Sequence, residues 1–243
     1  MRTYCDGPVS RVPTVRNRLS TTMTDELLRF ENVHFAYDPH RPVLDDCSCV
    51  LLRGSRIALC GDNGSGKSTL LKLAVGLLRP ASGTVWAFGR PRTREADFYE
   101  VRCRAGLLFQ NADDQLFCPT VAEDVAFGPF NLGKSRDEVE RIVAETLGNL
   151  GLSGYEERVT HKLSGGEKRL VALAGVLAMQ PEVLLLDEPA AGLDEAAVAR
   201  LAELLARLPQ TLLVAAHDRA FLTAVTNHRW QLQRGRIADL GSW

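Results

Sequence analysis

The chain has 243 residues, of which 45% are hydrophobic and 24% are charged, and its formal net charge is −1 at pH 7. This composition is that of an ordinary globular protein with a substantial core, and it gives no electrostatic reason to expect a nucleic-acid partner or an anionic membrane surface. The longest apolar run, Leu170 to Met179, is far shorter than the roughly 20 residues that span a bilayer. If the protein acts at a membrane, we expect it to do so without crossing it.

The first 22 residues are polar and basic, and they show no periodicity. They lack the apolar segment of a secretory signal peptide. We expect residues 1–24 to be a disordered extension, with translation starting at Met23 as the alternative, and residues 25–243 to form one folded domain.

Along the chain, short apolar runs that are typical of strands alternate with segments that have helical periodicity. The strand-like runs lie at 27–37, 47–52, 56–60, 84–88, 105–109, 183–187, 211–217, 229–233 and 236–240. The interval between 120 and 180 is mainly helical, with a capping-box spacing at Ser135 and Glu138 and an apolar stripe behind it. A second helix follows Asp194, with Val198, Leu201 and Leu205 as its expected buried side. The pattern predicts an α/β protein with a mostly parallel, doubly wound sheet, interrupted by a helical insertion at about 111–180.

A glycine-rich loop follows the third strand-like run and leads into a helix. Its residues fit G-x-x-x-x-G-K-[ST], the pattern of a loop whose backbone N–H groups surround phosphates. Lys67 is placed to reach the β- and γ-phosphates, Ser68 to ligate Mg²⁺, and Thr69 to donate to a phosphate. The loop predicts a nucleoside triphosphate site made by Gly61, Asp62, Asn63, Gly64, Ser65, Gly66, Lys67, Ser68 and Thr69.

Two carboxylates end the buried run at 183–187 and continue past it. Asp187 is placed to hold Mg²⁺ through water, and Glu188 to orient and deprotonate an attacking water. His217 ends the next strand-like run, where it can reach the γ-phosphate. A lone histidine is more often structural, and an acid pair at a strand end is less informative without the phosphate loop. The three residues together predict a hydrolytic site.

The segment Leu163 to Glu167, LSGGE, stands about twenty residues before LLLDEP. In this order and spacing it resembles the signature of ABC-type ATPases. The resemblance covers the chain from about Asp25 to its end, and it implies a P-loop core with an antiparallel β subdomain and an inserted α-helical subdomain. It also implies roles for further residues: Tyr37 stacks on adenine, Gln110 touches Mg²⁺ and the water, and Asp194 lies at the dimer contact. In that family Ser164, Gly165, Gly166 and Glu167 contact the ATP of the opposite protomer.

Two departures from the family pattern are small. Glu167 replaces a more frequent glutamine, and Ala190 stands where threonine or serine often follows DEP. Neither removes a group that the chemistry needs. Because Glu188, His217 and the signature are all present, one chain type can build two working sites. We therefore expect a homodimer, with a paralogous partner as the alternative.

The stretch Phe109 to Thr120, FQNADDQLFCPT, places two aspartates directly after a strand-like run. This stretch, with the signature region, resembles the ATPase subunit of energy-coupling-factor importers, especially those for cobalt and nickel. The resemblance implies a transmembrane coupling protein whose arginine-bearing helices dock on the ATPase. We expect Asp113, Asp114 and Gln115 to line an acidic groove for them, with Phe117 and Pro119 forming its floor; a solvated loop is the alternative.

These resemblances therefore imply a membrane-peripheral, cytoplasmic ATPase that binds ATP and Mg²⁺ and drives uptake of a transition-metal ion, cobalt first and nickel next. A substrate-binding membrane subunit would be an indirect partner. The ATPase of a vitamin importer or of another ABC transporter is an alternative, and a soluble ABC protein without a transport role is a weaker one. Which cargo is carried is not encoded in this chain, since no cluster of its residues has metal-ligand spacing.

Overall fold

The computed structural model describes residues 25–243, so the predicted extension at 1–24 lies outside the described residues. The strands are β1 (Glu26–Asp38), β2 (Arg41–Leu52), β3 (Arg56–Cys60), β4 (Ser82–Ala87), β5 (Arg90–Arg92), β6 (Ala105–Leu108), β7 (Val183–Asp187), β8 (Thr211–Ala215), β9 (His228–Gln233) and β10 (Arg236–Ser242). The helices are α1 (Lys67–Ala74), α2 (Asp97–Arg104), α3 (Val121–Asn131), α4 (Arg136–Asn149), α5 (Gly165–Ala178), α6 (Glu195–Arg207) and α7 (Arg219–Val225). Short 3₁₀ turns lie at Ala112–Asp114 and Thr160–Lys162.

The strands form two sheets. A four-stranded antiparallel sheet has the order β2-β1-β4-β5, and a six-stranded sheet has the order β10-β9-β3-β8-β7-β6. In the larger sheet the strands from β9 to β6 pair in parallel, and only the last hairpin, β9 with β10, is antiparallel. The predicted parallel core and antiparallel sheet are therefore both present.

The central strand β7 explains why its sequence is a continuous apolar run. All of its residues are buried, and successive side chains enter opposite cores. Leu184 and Leu186 pack with the helices that follow β6, whereas Val183 and Leu185 pack with the antiparallel sheet and α1. A parallel strand covered on both faces needs apolar side chains at every position, which an alternating strand does not.

The helices α3, α4 and α5 occupy the chain between β6 and β7. Each begins with a reciprocal capping box, of which the sequence predicted the one at Ser135 and Glu138. The predicted stripe on α4, Val139, Ile142, Val143 and Leu147, is buried. The subdomain limits at about 111–180 stay a prediction.

One detail of α6 differs from its prediction. Asp194 caps the helix as expected, accepting from the backbone N–H of Ala197 at 2.7 Å. The fully buried row is Ala197, Leu201 and Leu205, while Val198 is only half-buried. Residues four apart lie in one row along a helix, so Val198 lies at the edge of the buried side.

Neither β5 nor α2 is predicted from the sequence. Both are short and strongly charged, so neither has a clear apolar period. Arg92 of β5 is nonetheless buried, because its guanidinium donates to the backbone carbonyls of Ala87 and Asp97 and pairs with Glu100. Within residues 25–243, no helix combines the length and the apolarity that a membrane span requires.

Candidate active site

Four parallel strands of the larger sheet end at one edge, and a predicted site residue follows or closes each of them. Gly61 follows β3, Gln110 follows β6, Asp187 and Glu188 close and follow β7, and His217 follows β8. Because the carboxyl ends of neighbouring parallel strands share an edge, Gln110, Asp187, Glu188 and His217 meet the loop that follows Gly61 around one cleft of about 480 Å³. The cleft is lined by Tyr37, Val43, Asn63, Gly64, Gly66, Lys67, Ser68, Thr69, Gln110, Asp187, Glu188 and His217.

Glycine is required at the end of the phosphate loop. Gly66 has φ of 106°, and a Cβ atom there would lie 2.9 Å from Cγ1 of Val43. The helix α1 starts at the next residue, and no side chain caps its N-terminus. Its first backbone N–H groups are thus available to an anion, which the positive end of the helix dipole also favours.

Two further polar groups of this loop are buried. Lys67 is buried, and its Nζ donates to the carbonyl oxygens of Gly61 at 2.6 Å and Asp62 at 3.1 Å. The hydroxyl oxygen of Ser65 is buried without a hydrogen-bond partner among residues 25–243. An unpaired buried hydroxyl is costly, so a ligand that bonds to it would be stabilised.

Tyr37 stands at the other side of the cleft. Its side chain is 64% exposed, its hydroxyl lies 3.3 Å from Oγ1 of Thr69, and its ring meets Phe35 edge to face at 4.9 Å. The edge contact fixes the ring and leaves a face open. A planar aromatic ligand can stack on such a face.

Asp187 is buried next to the phosphate loop. Burial raises the pKa of its carboxyl group, and the hydrogen bond from Ser68 and the charge of Lys67 oppose that rise. A carboxylate oxygen and a hydroxyl oxygen therefore both face the cleft at this point. A hard divalent cation such as Mg²⁺ prefers oxygen ligands of this kind.

Glu188 has an unusual backbone. Its φ is 51°, in the left-handed region that residues with side chains rarely adopt, and its N–H donates to the Ala215 carbonyl at 2.7 Å. Its Oε1 is buried with no hydrogen bond in the described chain, although Nε2 of His217 lies 3.2 Å away. Burial raises the pKa of Glu188, whereas His217 lowers it and the charge of Asp187 raises it further. A buried oxygen atom that lacks a hydrogen-bond donor can accept a hydrogen bond from a water molecule.

The signature residues lie in a second concavity. It is lined in part by Ser164, Gly165, Gly166, Glu167 and Asp194, and it shares no lining residue with the nucleotide cleft. A Cβ atom at Gly165 would meet open space. One copy of the described chain therefore presents a phosphate loop and a signature on different surfaces.

The carboxylate of Glu167 is held within its own chain. It accepts from the backbone N–H of Ser164 at 2.8 Å, from the Tyr155 hydroxyl at 2.8 Å and from Arg158 at 3.2 Å. The bond from Ser164, followed by the bond from Tyr155, lowers the pKa of Glu167. The replacement of glutamine by glutamate thus adds a charge that is already paired.

The acidic groove at Asp113, Asp114 and Gln115 stays a prediction, and the structure shows which of these side chains already bond within the chain. Asp113 pairs with Lys168, Oδ1 to Nζ at 2.6 Å, and lies in the signature concavity. The Gln115 side chain turns inward, accepting from the N–H of Phe109 and donating to the Leu107 carbonyl. Their polarity is therefore largely used within the chain. Asp114 is exposed, with no ion pair among residues 25–243.

Sequence reasoning missed Arg169, which lies in the first turns of α5. Its guanidinium donates to the carbonyl oxygens of Glu188 at 2.8 Å and Gln110 at 2.7 Å. The chain offers no local signal for these contacts, since they join segments that are distant in sequence. An arginine beside the apolar run that begins at Leu170 is the only hint.

Comparison with known proteins decides the family. Residues 44–191 match the family model described as ABC transporter. The chain belongs to the ABC transporter family of ATP-binding proteins. This ABC ATPase is 51% identical over 84% of its length to a Nitratidesulfovibrio vulgaris protein named as a candidate ABC transporter ATP-binding protein, of which it covers 75%.

Two further likenesses are more specific. The ABC ATPase is 41% identical to the energy-coupling factor transporter ATP-binding protein EcfA of Methanothermobacter thermautotrophicus, covering 89% of this chain and 71% of the relative. It also matches the structure of cbiO1 from Clostridium perfringens, described as part of the ABC transporter complex cbiONQ, with a TM-score of 0.78 and 34% identity over 90% of this chain and 89% of the other. The predicted fold and the predicted ATPase activity are confirmed.

Proposed function

We propose that this ABC ATPase powers an energy-coupling-factor importer of a transition-metal ion, with cobalt or nickel as the cargo. The observation that supports the hydrolytic part is the cleft at the ends of β3, β6, β7 and β8, where a phosphate loop meets the buried Asp187, the partly buried Glu188 and a histidine. The likenesses to EcfA and to cbiO1 of the cbiONQ complex support the transport part.

In the proposed active form two copies of the chain face each other. The signature of one copy then closes over the triphosphate held by the other, since each copy carries both surfaces apart from one another. Ser164 and the N-terminus of α5 would supply the donors for the γ-phosphate. Asp194, which lies in the signature concavity, would contact the opposite copy.

Within the cleft we assign each residue a role. Tyr37 stacks on adenine, the phosphate loop and Lys67 hold the phosphates, and Ser68, Gln110 and Asp187 are the residues that would hold Mg²⁺. When bound, Mg²⁺ neutralises charge on the β- and γ-phosphates. Glu188 accepts a proton from the attacking water at its unpaired Oε1, and His217 and Gln110 orient that water.

The assigned base has a consequence for pH dependence. Because burial raises the pKa of Glu188 in the free enzyme, the acid limb of kcat/KM should lie above the usual glutamate range. His217→Ala removes a group that lowers this pKa, so its acid limb should lie at higher pH than that of the wild type. A base with a higher pKa becomes protonated at a higher pH, so the loss of His217 should move the acid limb to higher pH.

The test is kcat/KM against pH for the wild type, for His217→Ala and for His40→Ala, which changes an exposed histidine outside the cleft. The His40 variant should follow the wild-type curve. An acid limb for His217→Ala that is unmoved or displaced to lower pH would contradict the assignment of Glu188 as the base.

A group of exposed aromatic side chains lies where the helical region meets the rest of the domain. Phe117, Phe127 and Phe130 are 64%, 48% and 51% exposed, and the first two rings pack edge to face at 4.7 Å. Phe117 and Phe127 border a groove that also includes Gln115 and Met179. Exposed aromatic side chains grouped in this way mark interaction sites. We propose that the coupling protein binds here, with Asp113 and Asp114 beside it.

Asp114→Lys should weaken co-purification with the coupling protein by about tenfold while leaving ATP binding unchanged. Asp114→Lys changes only the exposed charge, whereas Asp113→Lys would also leave Lys168 unpaired. Glu203→Lys reverses an exposed charge on α6 and is the matched control. Assembly of Asp114→Lys at wild-type strength would remove the acidic pair from the proposal, and the double reversal at Asp113 and Asp114 extends the test.

The whole proposal is tested by expressing the chain with its membrane partners and measuring ATP-dependent uptake in vesicles. Cobalt or nickel uptake with a small integral-membrane coupling protein supports it. The proposal also assigns this chain to the cytoplasmic face of the membrane. Vitamin uptake would indicate the alternative cargo, and co-purification with a ribosome or DNA would contradict a role in transport.

A further inference from the structure

Arg169 connects three parts of the domain through one side chain. It stands on α5, five residues after Ser164, and its Nη1 and Nη2 donate to the backbone carbonyls of Glu188 and Gln110. Those two residues follow β7 and β6, which are neighbours in the central sheet. The signature helix is therefore bonded directly to the chain segments that carry the assigned base and the glutamine.

The backbone at Glu188 needs this kind of support. Its φ of 51° is strained for a residue with a side chain. Its N–H donates to Ala215 at 2.7 Å, and its carbonyl accepts from Ala191 at 3.2 Å in addition to Arg169. These bonds fix the peptide on both sides of Cα, and the direction of the carboxylate depends on that geometry.

The cost of burying Arg169 also indicates a geometric role. Its Nε is buried and has no hydrogen-bond partner in the described part of the chain, and burial lowers the pKa of the guanidinium, with the charges of Glu188 and Asp187 opposing this. Both of its hydrogen bonds go to neutral carbonyls rather than to a carboxylate. A partly buried cation without a close ion pair is unfavourable unless its two parallel donors hold something in place.

We propose that Arg169 is a positioning residue, which holds the backbones of Glu188 and Gln110 at a fixed separation from the signature helix. A movement of that helix when the dimer closes would then be transmitted to both residues that orient the attacking water. This inference rests on the proposed function, in which Glu188 is the base.

The test compares Arg169→Met, which keeps an apolar stem, with Arg169→Lys, which keeps the charge but lacks the planar pair of donors. For the Met variant, kcat for ATP hydrolysis should fall by about tenfold or more, with the Kd for ATP within about twofold of wild type. The kcat of the Lys variant should lie between those of the Met variant and the wild type. Arg207→Met, at an exposed arginine of α6, should match the wild type.

A second readout separates positioning from a defect of the signature. In a Glu188→Gln background, Arg169→Met should still dimerise with ATP at nearly the same half-saturating concentration. A wild-type kcat for Arg169→Met would overturn the proposal, as would a loss of kcat explained by weaker dimerisation. If the Met variant does not fold, as judged by thermal unfolding, the Lys variant decides instead: a kcat below that of the wild type with unchanged dimerisation supports the proposal, and a wild-type kcat overturns it. Wild-type turnover by Glu188→Gln alone would instead reject the base assignment.

Discussion

Glu188→Gln is expected to lower kcat for ATP hydrolysis by about 10²- to 10⁴-fold, the range typical of losing a general base. Glutamine has the same shape as glutamate and should keep the backbone contacts of this position, but its amide does not accept the proton of the attacking water. ATP binding should persist, because the phosphate loop is unchanged. The variant should therefore accumulate as an ATP-bound dimer of twice the 26.7 kDa chain mass.

Phosphate release measures the first effect, and sedimentation with and without ATP measures the second. Glu203→Gln is the control, since this glutamate is exposed on α6 and its only described ion pair, with Arg207, is at 3.8 Å. It should hydrolyse ATP at close to the wild-type rate. Turnover by Glu188→Gln at that rate would show that another group activates the water.

Ser164→Leu is expected to lower kcat by about 10²-fold or more, as loss of a donor to a developing charge does in other enzymes. The hydroxyl of Ser164 has a second role, because it caps α5 and accepts from the N–H of Glu167 at 3.3 Å. Removing such a cap costs about 1 kcal/mol of stability. A fall in activity alone would thus not separate the signature from the cap.

The chain offers a matched control for the cap. Ser135 caps α4, a helix of the same length as α5, through the same reciprocal box with Glu138, and both serines are exposed. Ser135→Leu should lower the free energy of unfolding by a similar amount while ATPase activity stays near wild type. Equal loss of activity in both variants would mean that the helix cap, and not the contact with the opposite ATP, is what matters at Ser164.

Much of the fold follows from the sequence because its signals are local. The buried runs of β7 and β8 predict a sheet covered on both faces, and the spacing of Ser135 and Glu138 predicts the start of α4. The charged segments that form β5 and α2 carry no such period. Their structure depends on tertiary contacts, such as the burial of Arg92 against backbone carbonyls, which no single stretch of sequence encodes.

The site residues were predictable where a motif states them. The phosphate loop, Asp187, Glu188 and His217 all follow strands, and the sheet brings them to one cleft. The directions in which side chains point were harder to predict from the sequence. Gln115 borders the groove beside Phe117, but its side-chain amide bonds to the backbone of Phe109 and Leu107, because a polar side chain beside a buried strand is stabilised by nearby backbone groups.

The composite site is tested most directly by mixing two inactive variants. Lys67→Ala disables the phosphate loop and Ser164→Leu disables the signature, so each homodimer should be inactive. A mixed dimer should regain one working site, from Lys67 of one copy and Ser164 of the other, and an equal mixture should recover up to about a quarter of wild-type activity. Lys67→Ala mixed with Glu188→Gln should recover none, since those residues act on the same side of the interface. An equal mixture no more active than its separate components would contradict an ATP site shared between two copies.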